Sequence, residues 1–113
     1  MKALVTGFEP FGGDGTNPSL EVARRLPRAV GRFSIASGSL PVAFGRALGV
    51  LGDLVRSERP DVVICLGLAS GRRDLGVETT ARNLKDARIP DNDGAQPRGE
   101  PIDPRAPAFL STG

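Results

Sequence analysis

The chain of 113 residues has no histidine, no tryptophan and no tyrosine, and only one cysteine. Without an imidazole it lacks the usual general base and the commonest metal ligand. A lone cysteine, Cys65, excludes an internal disulfide and any multi-cysteine metal site, so no metal and no cofactor are expected. Aromatic residues make up 4%, all of them phenylalanine, which leaves a thin core of Val, Leu, Ala and a few Ile and Phe. Charge of one sign is also missing. Fifteen Lys and Arg against thirteen Asp and Glu give a net +2, with no run of five like charges and no aromatics interleaved with basic residues. That pattern argues against a nucleic-acid partner. The opening Met1-Lys2-Ala3-Leu4-Val5-Thr6-Gly7 is too short for a signal peptide or a membrane span, so a cytoplasmic protein with no membrane partner is expected.

Glycine and proline are plentiful, with 15 and 10 copies. A chain of this size buries only about 60–70% of its unfolded surface, so one small domain over residues 1–113 has little stability to spare. The apolar run Lys2–Thr6 reads as a buried strand with a Gly/Pro-dense turn, Gly7–Gly15, behind it. Asn17-Pro18 suits an N-cap and first helical position, Leu20, Val22, Ala23 and Leu26 supply an apolar stripe, and Pro27 ends the helix. Residues 33–40 alternate as a half-buried strand, and Pro41–Arg56 returns to helical spacing despite three glycines. Residues 61–66 are apolar almost without a break, the mark of a parallel strand covered on both faces. Strand–helix–strand–helix–strand is an α/β pattern. Residues 87–107, rich in Pro, Asp and Gly, read as a long surface loop, functional or mobile. The chain stops where residues 108–113 begin another element, which suggests that the fold continues elsewhere.

Three features carry chemistry, each with a plainer alternative. The Gly7–Gly15 turn sits where phosphate cradles form, but it matches neither G-x-G-x-x-G nor the P-loop and offers no Lys, so a small nucleotide-binding domain is disfavoured. Phe8 and Phe11 suit an apolar pocket wall at the carboxyl end of the first strand, or equally a hydrophobic plug. Cys65, inside the most apolar run, reads as a buried structural thiol. A carboxylate at Glu78 would suit an imidazolium supplied from elsewhere, although spacing alone favours a solvated residue paired with Arg82 or Lys85. Spacing alone likewise leaves Arg88 a surface charge.

Four stretches change that balance. Val5-Thr6-Gly7-Phe8-Glu9-Pro10-Phe11-Gly12-Gly13, Asn17-Pro18-Ser19, Gly67-Leu68-Ala69-Ser70-Gly71-Arg72 and Ala87-Arg88-Ile89-Pro90-Asp91-Asn92-Asp93-Gly94 resemble the pyroglutamyl peptidase I (pyrrolidone-carboxylate peptidase) family, in order and at matching spacing. The resemblance implies a cytosolic cysteine peptidase that removes N-terminal pyroglutamyl residues from peptides. It also implies an αβα sandwich with a mostly parallel sheet, about two hundred residues long and usually homotetrameric. By the same resemblance Glu78 falls on the acid of a Cys–His–Glu site and Arg88 on an arginine near the nucleophile. Phe8 and Phe11 fall on the walls of the pyrrolidone pocket, with Leu68 on the pocket side. The nucleophile and the histidine come later in family members, beyond Gly113. Gly76, Thr79 and Thr80 depart from the family's usual small hydroxyl, basic and aliphatic residues beside the acid. The competing reading is a truncated, non-catalytic homologue serving as a binding or assembly module.

Overall fold

Solvent-averse residues set the order of assembly. In the computed structural model, which describes residues 1–113, the opening apolar run forms β1 (Lys2–Phe8), and its five central residues are all buried. Asn17 then starts α1 (Pro18–Arg25): its side chain accepts the Ser19 N–H at 3.1 Å, satisfying a donor that the helix cannot. Beyond Pro27 the chain makes a short hairpin of β2 (Ala29–Val30) and β3 (Phe33–Leu40), turning at Gly31 with φ 56. The two-residue β2 has no counterpart in the sequence reading. After α2 (Ala47–Glu58), Arg59 reverses the chain at φ 48 and donates its N–H to Val55 O, leading into β4 (Val62–Cys65). The sheet order is β2-β3-β1-β4, with β3, β1 and β4 parallel and only β2 antiparallel.

The helices lie on opposite faces of this sheet. A Cβ on Gly7 would come within 2.5 Å of the Leu20 Cα and collide with Ser19 O, so α1 presses on the face of Ala3, Val5 and Gly7. A Cβ on Gly38, the register partner of Thr6, would meet Leu54 Cδ1 of α2 at 2.6 Å, which puts α2 over the face of Leu4 and Thr6. This is the α/β arrangement with a mostly parallel sheet that the sequence implied. A second, two-stranded antiparallel sheet joins β5 (Thr80–Arg82) to β6 (Phe109–Ser111), so the final residues do begin an element.

Three expectations need correction. The helix expected from Pro41 starts only at Ala47, because side chains from elsewhere capture the backbone before it: Glu9 accepts the Val42 N–H and Asp91 accepts the Phe44 N–H. β4 is not covered on both faces; all four of its residues are exposed, Cys65 included, because it forms the open edge of the sheet. Residues 87–107 lack strands and helices yet are held in place. Ala87 N–H bonds Pro97 O, and Lys85 and Glu100 form an antiparallel bridge. The Asn83 side chain makes four bonds, donating to Asp103 O and Ala106 O and accepting the Ile102 and Asp103 N–H groups.

The two glycines give a paired test. Gly7→Ala sets a methyl group against backbone, which cannot step aside, and is expected to cost about 2–3 kcal/mol. Gly38→Ala meets only the end of a flexible leucine and should cost about 1 kcal/mol or less. Thermal melts of both variants check the order; equal losses would contradict the close α1 packing.

Candidate functional site

The carboxyl ends of β1 and β3 meet the 87–97 segment, and two carboxylates join them. Glu9 directly follows β1. Its N–H donates to Leu40 O at 2.9 Å, its carbonyl accepts from Asn17 Nδ2 at 3.1 Å, and its Oε1 accepts the Val42 N–H at 3.2 Å. Asp91 is 8% exposed, and both of its oxygens are occupied. Oδ2 accepts the Phe44 N–H at 2.8 Å, while Oδ1 accepts the N–H groups of Asp93 at 2.9 Å and Ala95 at 2.8 Å. Asn92 closes the tie, donating its N–H to Val42 O at 2.9 Å and its Nδ2 to Pro10 O at 2.9 Å and Glu9 Oε1 at 3.3 Å. A bidentate Arg46–Asp93 pair at 2.6 and 2.9 Å reinforces it from the start of α2.

This docking creates a hollow of about 310 Å³ lined by Phe11, Val42, Phe44, Ala87, Arg88, Ile89 and Asp91. Its walls are mostly apolar, with the Arg88 side chain among them. Such a slot suits a small, flat, neutral group with polar atoms at one edge. A neighbouring hollow of about 380 Å³ shares Phe44 and adds three polar residues, Lys85, Gln96 and Glu100, to its lining. The two backbone donors nearest the end of β1 are already taken, Phe8 N–H by Ser19 Oγ at 2.9 Å and Glu9 N–H by Leu40 O. No group of three Cys, Asp or Glu side chains is placed to hold a metal ion.

Of the residues singled out in the sequence, Phe11 and Arg88 come together in this hollow, although 77 positions separate them. Phe8 ends β1 half-buried and is not part of the lining. Leu68 is 56% exposed and stands apart from the lining as well. Glu78, just ahead of β5, is exposed. Its carboxylate meets Arg72 at 3.4 Å, neither Arg82 nor Lys85, and its carbonyl accepts from Thr112 Oγ1 at 2.6 Å. The sequence reading gave no role to Glu9, Asp91 or Asn92. An Asp-Asn pair following Ile89-Pro90 was the available signal, because Asp and Asn side chains take up backbone groups one to four residues on.

The hydrogen bond from the Phe44 N–H, with help from those of Ala95 and Asp93, holds the Asp91 carboxyl below its usual value of 3.8. The Arg46 hydrogen bond does the same for Asp93. A depressed folded value means that stability is present above about 3.8 and is lost as pH falls through the lower folded value. Asp91→Asn, whose amide would face an N–H donor, should therefore melt several degrees below wild type at neutral pH. The gap should close as pH falls well below 3.8. Thermal melts across pH 7 to 2 check this; a gap independent of pH would contradict the carboxylate tie.

The sequence matches the pyroglutamyl peptidase family model over residues 1–112. It is 47% identical to the pyrrolidone-carboxylate peptidase of Levilactobacillus brevis over 99% of this chain and 55% of that one. It is also 47% identical to the Bacillus amyloliquefaciens enzyme of the same name, over 99% of this chain and 53% of that one. The structure superposes on pyroglutamyl peptidase I of Bacillus amyloliquefaciens with a TM-score of 0.96 at 47% identity, covering 99% of this chain and 55% of that one. On a mutant pyrrolidone carboxyl peptidase of P. furiosus the TM-score is 0.93 at 45% identity. The chain spans about half the length of the curated relatives it matches. By the match over residues 1–112 and these likenesses, the chain belongs to the pyroglutamyl peptidase family.

Proposed function

We propose that this chain forms the amino-terminal part of a cysteine peptidase that removes N-terminal pyroglutamyl residues from peptides. The observation that carries the reading is the shared hollow of Phe11 and Arg88, mostly apolar, with Arg88 and Asp91 its two charged lining residues. A lactam ring is flat and neutral, so an aromatic and aliphatic slot holds it better than a charged one. Phe8 and Leu68 complete the wall in this proposal, and family membership supports them more than their present positions do.

The chemistry is acyl transfer. A thiolate attacks the carbonyl that joins pyroglutamate to the next residue, an imidazolium protonates the leaving amine, and water releases the acyl group. By the family resemblance, those two groups come from sequence beyond the stretch matched here. Glu78 would fix the imidazole's tautomer and stabilise its charged form, and Arg88 would favour the thiolate or the developing oxyanion. No cofactor enters these steps. The proposal includes assembly into a homo-oligomer, a tetramer by the resemblance, and a cytoplasmic location. In the structure itself, no helix is long and apolar enough to cross a membrane.

The test uses a single polypeptide in which residues 1–113 are continued by the unmatched part of the Bacillus amyloliquefaciens relative. It should release aminomethylcoumarin from its pyroglutamyl amide, whereas residues 1–113 alone should not. Glu78→Gln in the fused chain should lower kcat/KM at least about tenfold, or about 1.4 kcal/mol of transition-state stabilisation. An exposed ion pair with Arg72 would act on stability instead of rate, by about 0–1 kcal/mol. Unchanged kinetics in a folded Glu78→Gln variant would remove Glu78 from the site. Turnover by the 113-residue chain, lost in Cys65→Ala, would overturn the division of the active site.

A further inference from the structure

Arg88 is the one cation lining the mostly apolar hollow, yet little holds its backbone. On one side of it, Ala87 N–H bonds Pro97 O at 2.9 Å; on the other, Asp91 N–H bonds Ala95 O at 2.8 Å. Between these anchors, residues 88–90 make no backbone–backbone hydrogen bond, and Pro90 has no N–H to give. Their backbone receives its one hydrogen bond from the Gln96 side chain. Gln96 Nε2 donates to Arg88 O at 3.0 Å and also to Ala87 O at 3.3 Å. Both partners are carbonyl oxygens, so only the NH2 end of the amide can face them, with a proton for each.

Gln96 is itself held from both sides. Ala95 exchanges two bonds with Asp91, its N–H to Oδ1 at 2.8 Å and its carbonyl with the Asp91 N–H at 2.8 Å. On the far side Pro97 accepts the Ala87 N–H, and its ring biases Gln96 towards extended backbone. Gln96 is half-buried and lines the neighbouring hollow, so its amide reaches the 87–88 backbone from behind the slot. A long side chain is aimed by the backbone that carries it, and a misplacement of about 1 Å at a reacting group can cost about 10²-fold in rate. We infer that Gln96 is a positioning residue, which bridges the Ala87 and Arg88 carbonyls and so fixes the point from which Arg88 reaches the reacting carbonyl. The effect on rate rests on the proposed function; the hold on the Arg88 backbone rests on the two hydrogen bonds alone.

Two variants test it. Gln96→Ala removes the bridge without adding charge, and Gln96→Glu keeps the length but turns an acceptor-only carboxylate towards the carbonyls. In the fused chain each should lower kcat at least about fivefold while changing KM less than about twofold. In residues 1–113 alone, amide relaxation measured by NMR should show Arg88 ordered in the wild type, with an order parameter of about 0.85, and below about 0.6 in both variants. The Phe44 and Asp91 amides should stay ordered throughout. An Arg88 amide equally ordered in all three chains would overturn the inference, as would unchanged kcat or a loss confined to KM. A loss in Gln96→Glu alone would assign the effect to the added charge, and disorder spreading to Phe44 and Asp91 would make Gln96 a general brace; either result also overturns it. A fused wild type without turnover would count against the proposed activity, and the relaxation at Arg88 would then decide by itself whether Gln96 holds that backbone.

Discussion

A buried carboxylate that accepts three backbone N–H groups holds this molecule's functional end together. Asp91 gathers Phe44 from the β3–α2 connection and Asp93 and Ala95 from its own turn, using both oxygens. A carboxylate is acceptor-only, and such charge-assisted bonds are shorter and stronger than neutral ones. The consequences run both ways along the chain. The Phe44 N–H is diverted from helix formation, so α2 begins late at Ala47. The 87–97 segment, which has no helix or strand of its own, is fixed against the turn after β1, with Glu9 and Asn92 bonding across the gap. The apolar hollow is the space left between these pinned pieces.

Half of a parallel sheet is an awkward object. Its first strand is as well covered as any core strand, with Leu4 and Thr6 fully buried. Its last is bare on both faces and along one edge. The same property explains why Cys65, apolar in its sequence setting, stands exposed. Burial falls across the sheet from β1 outward to β4. This also goes with the thin core, since Val62, Val63 and Ile64 stay on the surface.

Local signals carried the sequence reading a long way. Asn17-Pro18 placed the start of α1 because a cap is decided within four residues, and the unbroken apolar runs placed β1 and β4, although only β1 is buried. What failed was non-local. Residues 41–46 have helical spacing, but partners about thirty and fifty positions away took their N–H groups. The burial expected of β4 was read from its apolar residues alone, whereas coverage depends on helices that pack chiefly on β1 and β3. At the site, the motifs brought forward Phe11 and Arg88, which the structure places on one hollow, while Asp91, Asn92 and Glu9 were quoted only as letters in those motifs. Their work is to bond backbone, and spacing does not reveal which backbone.

The claim at the centre of this account is that the Asp91 tie, and not apolar contact alone, brings the Arg88 segment to Phe11. The most direct measurement is a nuclear Overhauser spectrum of the 113-residue chain with labelled Phe rings and Ile methyl groups. Cross-peaks between the Phe11 ring and the Ile89 methyls are predicted in the wild type. They should disappear in Asp91→Ala, while contacts within the β1–β3 core persist. Cross-peaks of undiminished strength in a folded Asp91→Ala variant would contradict the claim and assign the hollow to hydrophobic packing instead.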